Sequence, residues 1–186
     1  MNKAIPAVTR VFETHWGWAG LAATDQGLCV VTLPRRSKQD TMRTLARELR
    51  RGRFAEQKSA ADLRQPDAQR WVKQGVEQLT RFFEGTLQAI DLCVDLRAGT
   101  PFQRKVWRQA LRIPYGRVRS YGWLAIRLGG RQYARAVGLA LGANPIPIVV
   151  PCHRIVSHDG SLGGFSCGLP VKRKLLALEG SLAQLR

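Results

Sequence analysis

The chain has 186 residues but only four cysteines, at positions 29, 93, 152 and 167. None of them forms a C-x-x-C pair, so the sequence indicates neither a zinc site nor a disulfide framework, and a reducing, cytoplasmic setting is expected. No stretch approaches the roughly 18 uncharged apolar residues of a membrane span. The opening Met-Asn-Lys-Ala-Ile-Pro-Ala lacks the apolar core of a signal peptide. Internal repeats and low-complexity tracts are missing as well. The most informative gap is one of charge: no acidic residue occurs between Asp95 and Asp159, where eleven Lys and Arg residues stand. Over the whole chain 30 Lys and Arg face 13 Asp and Glu, a net charge of +17, yet residues 1–95 hold 15 basic and 11 acidic residues. A surface that only confers solubility mixes both signs. A positive block of this kind favours a polyanion, because each neutralised phosphate releases counterions.

The length suits one domain of ordinary size or two small ones, with 45% hydrophobic residues to supply a core. Thr9–Thr14, Trp16–Ala23 and Leu28–Leu33 are β-rich runs, and Asp25-Gln26-Gly27 supplies a turn between the last two, which predicts a small antiparallel sheet. Helices are expected over Thr41–Arg50 and Ala68–Glu84, the second stopped by Gly85. From Ile90 to Leu96 the pattern alternates, with Ile90, Leu92, Val94 and Leu96 on one face and Asp91, Cys93 and Asp95 on the other. This reads as a strand or an extended linker and gives an α/β domain over residues 1–96.

A second, mainly α domain is expected over 97–186. Thr100-Pro101-Phe102-Gln103 is a capping box with proline at the first helical position. Phe102, Val106, Trp107, Ala110 and Leu111 would face a core. Ser120 can cap a short helix from Tyr121 to Leu128, Gly129-Gly130 breaks it, and Gln132–Ala143 can form another. Two short helices across a glycine turn inside an acid-free segment suggest a helix-turn-helix. The second helix is rich in small residues: Ala134, Ala136, Gly138, Ala140, Gly142 and Ala143. These allow close packing on a neighbouring helix or close approach to DNA, and Arg135 would project beyond them.

The run Ile148-Val-Val-Pro-Cys-His-Arg-Ile-Val156 places a cysteine beside a histidine. A thiol is a strong nucleophile only as the thiolate, and an imidazole or cation is the usual means of lowering its pKa from about 8.5. Cys152 therefore has a candidate activator in His153, directly or through a water, and a positive neighbour in Arg154. Residues 148–150 suggest a buried strand that Pro151 ends. The alternative is a core cysteine with a surface histidine.

Several segments, in order over residues 99–180, resemble the O6-alkylguanine-DNA alkyltransferase family. They are Gly99-Thr-Pro-Phe-Gln103 with Val106-Trp107, Ile113-Pro-Tyr-Gly116 with Ser120-Tyr121, Ala134-Arg-Ala-Val-Gly138, Gly142-Ala-Asn-Pro145, Pro151-Cys-His-Arg154 and Leu178-Glu-Gly180. The first 90 residues resemble the family only in length and strand-then-helix order. The resemblance implies a ribonuclease H-like α/β N-terminal domain and a winged-helix-like C-terminal domain that binds DNA. It implies a partner, double-stranded DNA carrying O6-alkylguanine, approached from the minor groove by a monomer. The alkylated base is flipped out, and the alkyl group passes irreversibly to the protein's own cysteine without any cofactor or metal.

Carried over by this resemblance, Cys152 is the nucleophile, His153 its base through a water, and Glu179 orients the imidazole. Asn144 is a hinge that hydrogen-bonds backbone, and Tyr121 assists the leaving group and crowds the phosphate. Arg135 fills the space left in the base stack, on a helix whose small residues Ala134 and Gly138 lie against the DNA. Ile155, Phe165 and Ser166 build the base pocket. The family commonly has two glycines after Ser166, where this chain has Cys167-Gly168, and the second thiol could narrow the pocket mouth. Two other readings compete: a cysteine hydrolase, and a protein that binds alkylated guanine without repairing it.

Overall fold

The β-rich runs at the N-terminus fold into three strands, β1 (Ile5–Thr14), β2 (Gly17–Thr24) and β3 (Gly27–Arg35), paired antiparallel in chain order. The computed structural model describes residues 4–57 and 66–185. The chain divides into two units, Met1–Ala98 and Gly99–Arg186, and this sheet belongs to the first. The turn at Asp25-Gln26 depends on Gly27, whose φ is +135° and whose absent side chain would meet the Cys93 carbonyl oxygen at 2.4 Å.

Helix α1 (Lys38–Arg51), capped by the Ser37 hydroxyl, is followed by a short strand β4 (Phe54–Glu56) that pairs parallel to β1. The sheet is therefore mixed, in the order β3-β2-β1-β4, rather than purely antiparallel as expected. A helix between strands carries the chain back over the sheet, so the next strand runs in the same direction as the one before the helix. Three residues are too few to show a period of two. Leu45 of α1 clusters with Ala22, while Leu21 lies against Gly75 of α2 (Pro66–Phe83). Neighbouring strand residues point to opposite faces, so helices cover both, which is why β2 is buried from Ala19 through Thr24.

After α2 one isolated backbone bridge among the described residues, Leu28 to Val94, joins the chain to the sheet. Whereas Asp91, on the same face of the alternating pattern, is exposed, Asp95 is 1% exposed. It accepts hydrogen bonds from Thr24 Oγ1 at 2.8 Å and Arg97 Nη2 at 2.7 Å, and this pairing holds it inside.

The second unit opens with α3 (Pro101–Ala110), which carries the expected capping box between Thr100 and Gln103. Leu111 is 38% exposed instead of facing the core, because it lies past the last helical turn as the C-cap. Ser120 caps α4 (Tyr121–Ile126), a 3-10 turn over Arg131–Tyr133 leads into α5 (Ala134–Gly142), and Trp107 donates its indole N–H to the Ala140 carbonyl at 2.8 Å. A two-residue strand β5 (Arg119–Ser120) pairs parallel with β6 (Ile155–Val156), and α6 (Leu169–Leu178) closes the unit.

Candidate active site

Between α5 and β6 the chain makes two tight reversals instead of the expected strand at 148–150. The Val150 N–H bonds the Ile146 carbonyl at 2.9 Å around Ile148, whose φ is +76°. A β-branched residue in that region costs on the order of 1–3 kcal/mol. The conformation is held because Ile146, Ile148 and Val150 are all buried. Prolines at 145 and 147 remove two ladder donors, so this apolar run is buried by folding on itself rather than by pairing. Pro151 (φ −80°, ψ 61°) then forms an inverse γ-turn with the Cys152 N–H on the Val150 carbonyl at 2.8 Å. Cys152–Arg154 form a 3-10 turn that runs into β6.

This turn holds the Cys152 thiol 7% exposed, with the Asn144 side-chain amide donating to its sulfur at 3.2 Å. The same amide nitrogen donates to the Val150 carbonyl at 3.0 Å, and the Asn144 oxygen accepts from the Ile146 N–H at 3.0 Å. Asn144 thus fixes both the turn and the sulfur. Burial pushes the thiol up to about 11, partly offset by the Asn144 hydrogen bond, so the resting group is protonated at neutral pH.

His153 is fully buried, and its Nε2 lies 2.8 Å from Glu179 Oε1. Glu179 also accepts from Arg154 Nε at 3.0 Å, Arg154 Nη2 at 2.9 Å and the Gly116 N–H at 3.2 Å. Burial alone would raise the Glu179 carboxyl, but the bonds from His153 and Arg154 hold it down at about 2. An ionised carboxylate can only accept, so Nε2 carries the imidazole proton and Nδ1 presents a lone pair. That Nδ1 is buried and has no hydrogen-bond partner among the described residues. Burial also lowers the histidine's own pKa, keeping the ring neutral and able to accept a proton. Arg154 is committed to Glu179 and to the Ile113 carbonyl at 2.6 Å, so it braces the carboxylate rather than serving as the thiol's cationic neighbour.

The thiol opens into a cavity of about 390 Å³ lined by Tyr121, Ala134, Arg135, Gly138, Phe165 and Ser166, together with Leu139, Leu141, Gly142 and Gly164. The Tyr121 hydroxyl donates to the Gly164 carbonyl at 3.1 Å, and burial raises its pKa. Gly163 (φ +64°) passes so close to this ring that a Cβ would lie 3.0 Å from Tyr121 Cε2. A Cβ on Gly142 would meet nothing within 4 Å, and one on Gly138 only the Tyr121 ring at 3.7 Å. Packing among the described residues therefore does not require glycine at either position.

The fold brings most of the expected site residues together. Cys152, Tyr121, Ala134, Arg135, Gly138, Phe165 and Ser166 line the cavity, while Asn144, His153 and Glu179 stand behind the thiol. Ile155 does not line it: this residue is fully buried in β6, and its carbonyl accepts from Lys172 Nζ. The Cys167 sulfur is on the surface, 3.9 Å from Ser166 Oγ.

Sequence reasoning missed Lys172, a fully buried lysine on α6 that also donates to the carbonyls of Leu162 at 2.6 Å and Gly164 at 3.2 Å. Burial lowers it to about 8, with Cys152 acting in the opposite sense. The signal was available, because Lys172, Leu175, Leu176 and Glu179 recur at helical spacing and all four are buried. The run Lys172-Arg173-Lys174 disguises it as a solvated face.

Residues 101–181 match the model of the 6-O-methylguanine DNA methyltransferase DNA-binding domain. A methylated-DNA–protein-cysteine methyltransferase of Methanosarcina acetivorans is 43% identical over 111 residues, 60% of this chain and 70% of that one. The chain belongs to this family. Its Mycobacterium tuberculosis member is 52% identical over 108 residues, which are 58% of this chain and 65% of that protein's length. The structural likeness extends further than the sequence match. The crystal structure of Mycobacterium tuberculosis OGT in complex with DNA aligns at a TM-score of 0.69 and 35% identity over 94% of each chain. The family's N-terminal sheet with helices and helical C-terminal part are therefore both present here.

Proposed function

We propose that this protein is a DNA repair alkyltransferase that moves the alkyl group of O6-alkylguanine in duplex DNA to Cys152, once per molecule. One observation carries the reading: a buried thiol, held by Asn144, faces a cavity beside a histidine whose free ring nitrogen is defined by Glu179. The flipped base enters between Tyr121 and Phe165, and Arg135 occupies the gap it leaves, offsetting an unstacking cost of a few kcal/mol. His153 Nδ1 takes the thiol proton through a water. The sulfur then attacks the alkyl carbon as the C–O6 bond breaks and its electron pair leaves on guanine. The Tyr121 hydroxyl, released from Gly164, donates to the departing base, which is a poor anion without such a donor. The Cys167 side chain at the turn beside Ser166 sets how bulky an alkyl group can enter.

The finer fold assignment follows the same reading, with a ribonuclease H-like first unit and a winged-helix-like second unit in which α4 and α5 form the helix-turn-helix. The protein acts as a monomer on the minor groove, in the cytoplasm. Incubation with duplex DNA carrying labelled O6-methylguanine, followed by mapping of the label, tests the reading. One label per molecule on Cys152 is expected. Multiple turnovers would mean a hydrolase, and binding without label a non-repairing reader.

A further inference from the structure

Three side chains in and around α4, Arg119 before it, Trp123 within it and Arg127 at its C-cap, lie outside the cavity and have no part in the transfer step. The guanidinium carbon of Arg127 stands 3.7 Å from the centre of the Trp123 ring, and that of Arg119 stands 5.4 Å from it. Trp123 and Arg119 are half-buried and Arg127 is exposed. Two like charges thus share one indole. Among the described residues neither arginine has a carboxylate within ion-pair distance, although exposed arginines of the first unit, such as Arg43, Arg47 and Arg70, do.

A guanidinium that stacks by its face keeps its in-plane N–H groups for other partners, in a fork that fits a phosphate. Arg119 uses one of them, Nη1, on the Val118 carbonyl at 2.9 Å. Arg127 has no hydrogen-bond partner among the described residues. The backbone is equally prepared. Arg119 lies in β5, opposite Ile155 of β6, directly after the turn that carries Cys152. Tyr121, midway in sequence between Arg119 and Trp123, lines the cavity. Residues two apart on a helix point to nearly opposite sides, so Trp123 is directed away from the cavity that Tyr121 faces.

We propose that Arg119, Trp123 and Arg127 form a platform that grips the phosphodiester backbone of the duplex beside the flipped nucleotide. The two charges gathered without a counterion are completed by phosphate, and the indole holds them at the right spacing before DNA arrives. This inference rests on the reading of the chain as a DNA repair protein and adds a second foothold, at the two ends of α4 rather than on α5. The grip is sequence-independent and strengthens binding wherever the lesion lies.

The test is the dissociation constant for an undamaged duplex, measured by fluorescence anisotropy over a series of salt concentrations. Thermal unfolding serves to check that each variant is folded. In the double variant Arg119→Gln with Arg127→Gln, the slope of log Kd against log salt should fall by about 1 to 2, because each lost phosphate contact removes about 0.9 from it. The double variant Arg119→Lys with Arg127→Lys keeps the charge without the planar fork. It should keep the wild-type slope while binding more weakly. A glutamine variant with the wild-type slope, or lysine and glutamine variants that lose the slope equally, would overturn the platform. If the wild-type protein itself binds no duplex at low salt, the repair reading fails instead.

Discussion

Each of the two units buries one carboxylate against an arginine, yet only one of these clusters can do chemistry. Asp95 takes the Arg97 side chain, the Arg97 N–H and the Thr24 hydroxyl, and these bonds hold it below the ordinary carboxylate range against the effect of its burial. Glu179 takes Arg154, a backbone N–H and, in place of the threonine, the imidazole of His153. A hydroxyl that donates to a carboxylate only fastens a turn. An imidazole that does so is left with its second nitrogen as a free lone pair, one residue from the Cys152 thiol. The buried thiols differ in the same way. Cys29 donates to the Ala22 carbonyl at 3.4 Å, and burial pushes its pKa far up, whereas Cys152 receives the Asn144 amide and opens on a cavity.

The largest expected effect separates the two thiols. Cys152→Ser should abolish alkyl transfer, since a hydroxyl is a poor substitute for a thiolate, and Cys29→Ser should leave one label per molecule. Mass spectrometry of the protein after reaction with methylated duplex checks both. Labelled Cys152→Ser protein would end the distinction.

Next comes the pair of carboxylates. Glu179→Gln should destabilise the second unit by about 3–5 kcal/mol, because it leaves the buried Arg154 charge unpaired. Asp95→Asn should destabilise the first unit less, because Arg97 is exposed and keeps its ion pair with Asp25. Only Glu179→Gln should also slow transfer, by about 100-fold, as for loss of a positioned base. The folded pKa of Glu179, about 2 against an ordinary 4.5, lies below the unfolded value. Its stabilisation is therefore complete above pH 4.5 and is lost as pH falls toward 2. Denaturant melts of wild type and Glu179→Gln across that window should converge at the acid end. Parallel curves would show that the carboxylate does not report on folding.

A smaller effect distinguishes helix α5 from the residues behind the thiol. Arg135→Ala should slow repair of duplex DNA by about tenfold or more while changing reaction with the free alkylated base much less, because only the duplex must be unstacked. Stopped-flow rates on both substrates decide this, and equal losses would remove the finger role. The smallest effect concerns the turn at Cys167. Cys167→Gly should raise reaction with a benzyl adduct by about threefold to tenfold relative to a methyl adduct, on the scale of a single small group in a pocket. An unchanged ratio would free the pocket of any limit from that side chain.

Local signals made much of this legible. Capping at Thr100 and Ser120 and the β-rich runs marked out the elements, and the Cys-His pair with its surrounding segments marked the site. What escaped was whatever tertiary partners decide. Strand β4 is three residues long and exists only because β1 offers an edge beside it. The apolar run at 148–150 has the composition of a strand but sits between prolines that leave it folding on itself. Asp95 and Lys172 look like solvent-facing charges until their partners, distant in sequence, are in place.

Lys172 also bears on motion. The segment from Ser157 to Gly168, which forms one wall of the cavity, has no regular secondary structure, and such segments ordinarily open independently of the fold. Here one ammonium fastens the carbonyls of Ile155, Leu162 and Gly164 to α6. Releasing the wall therefore means exposing a buried cation or unwinding the helix that carries it. On the minutes-to-hours scale of amide hydrogen exchange, wall and helix should behave as one cooperative unit, so the cavity keeps its shape while it stands empty of substrate.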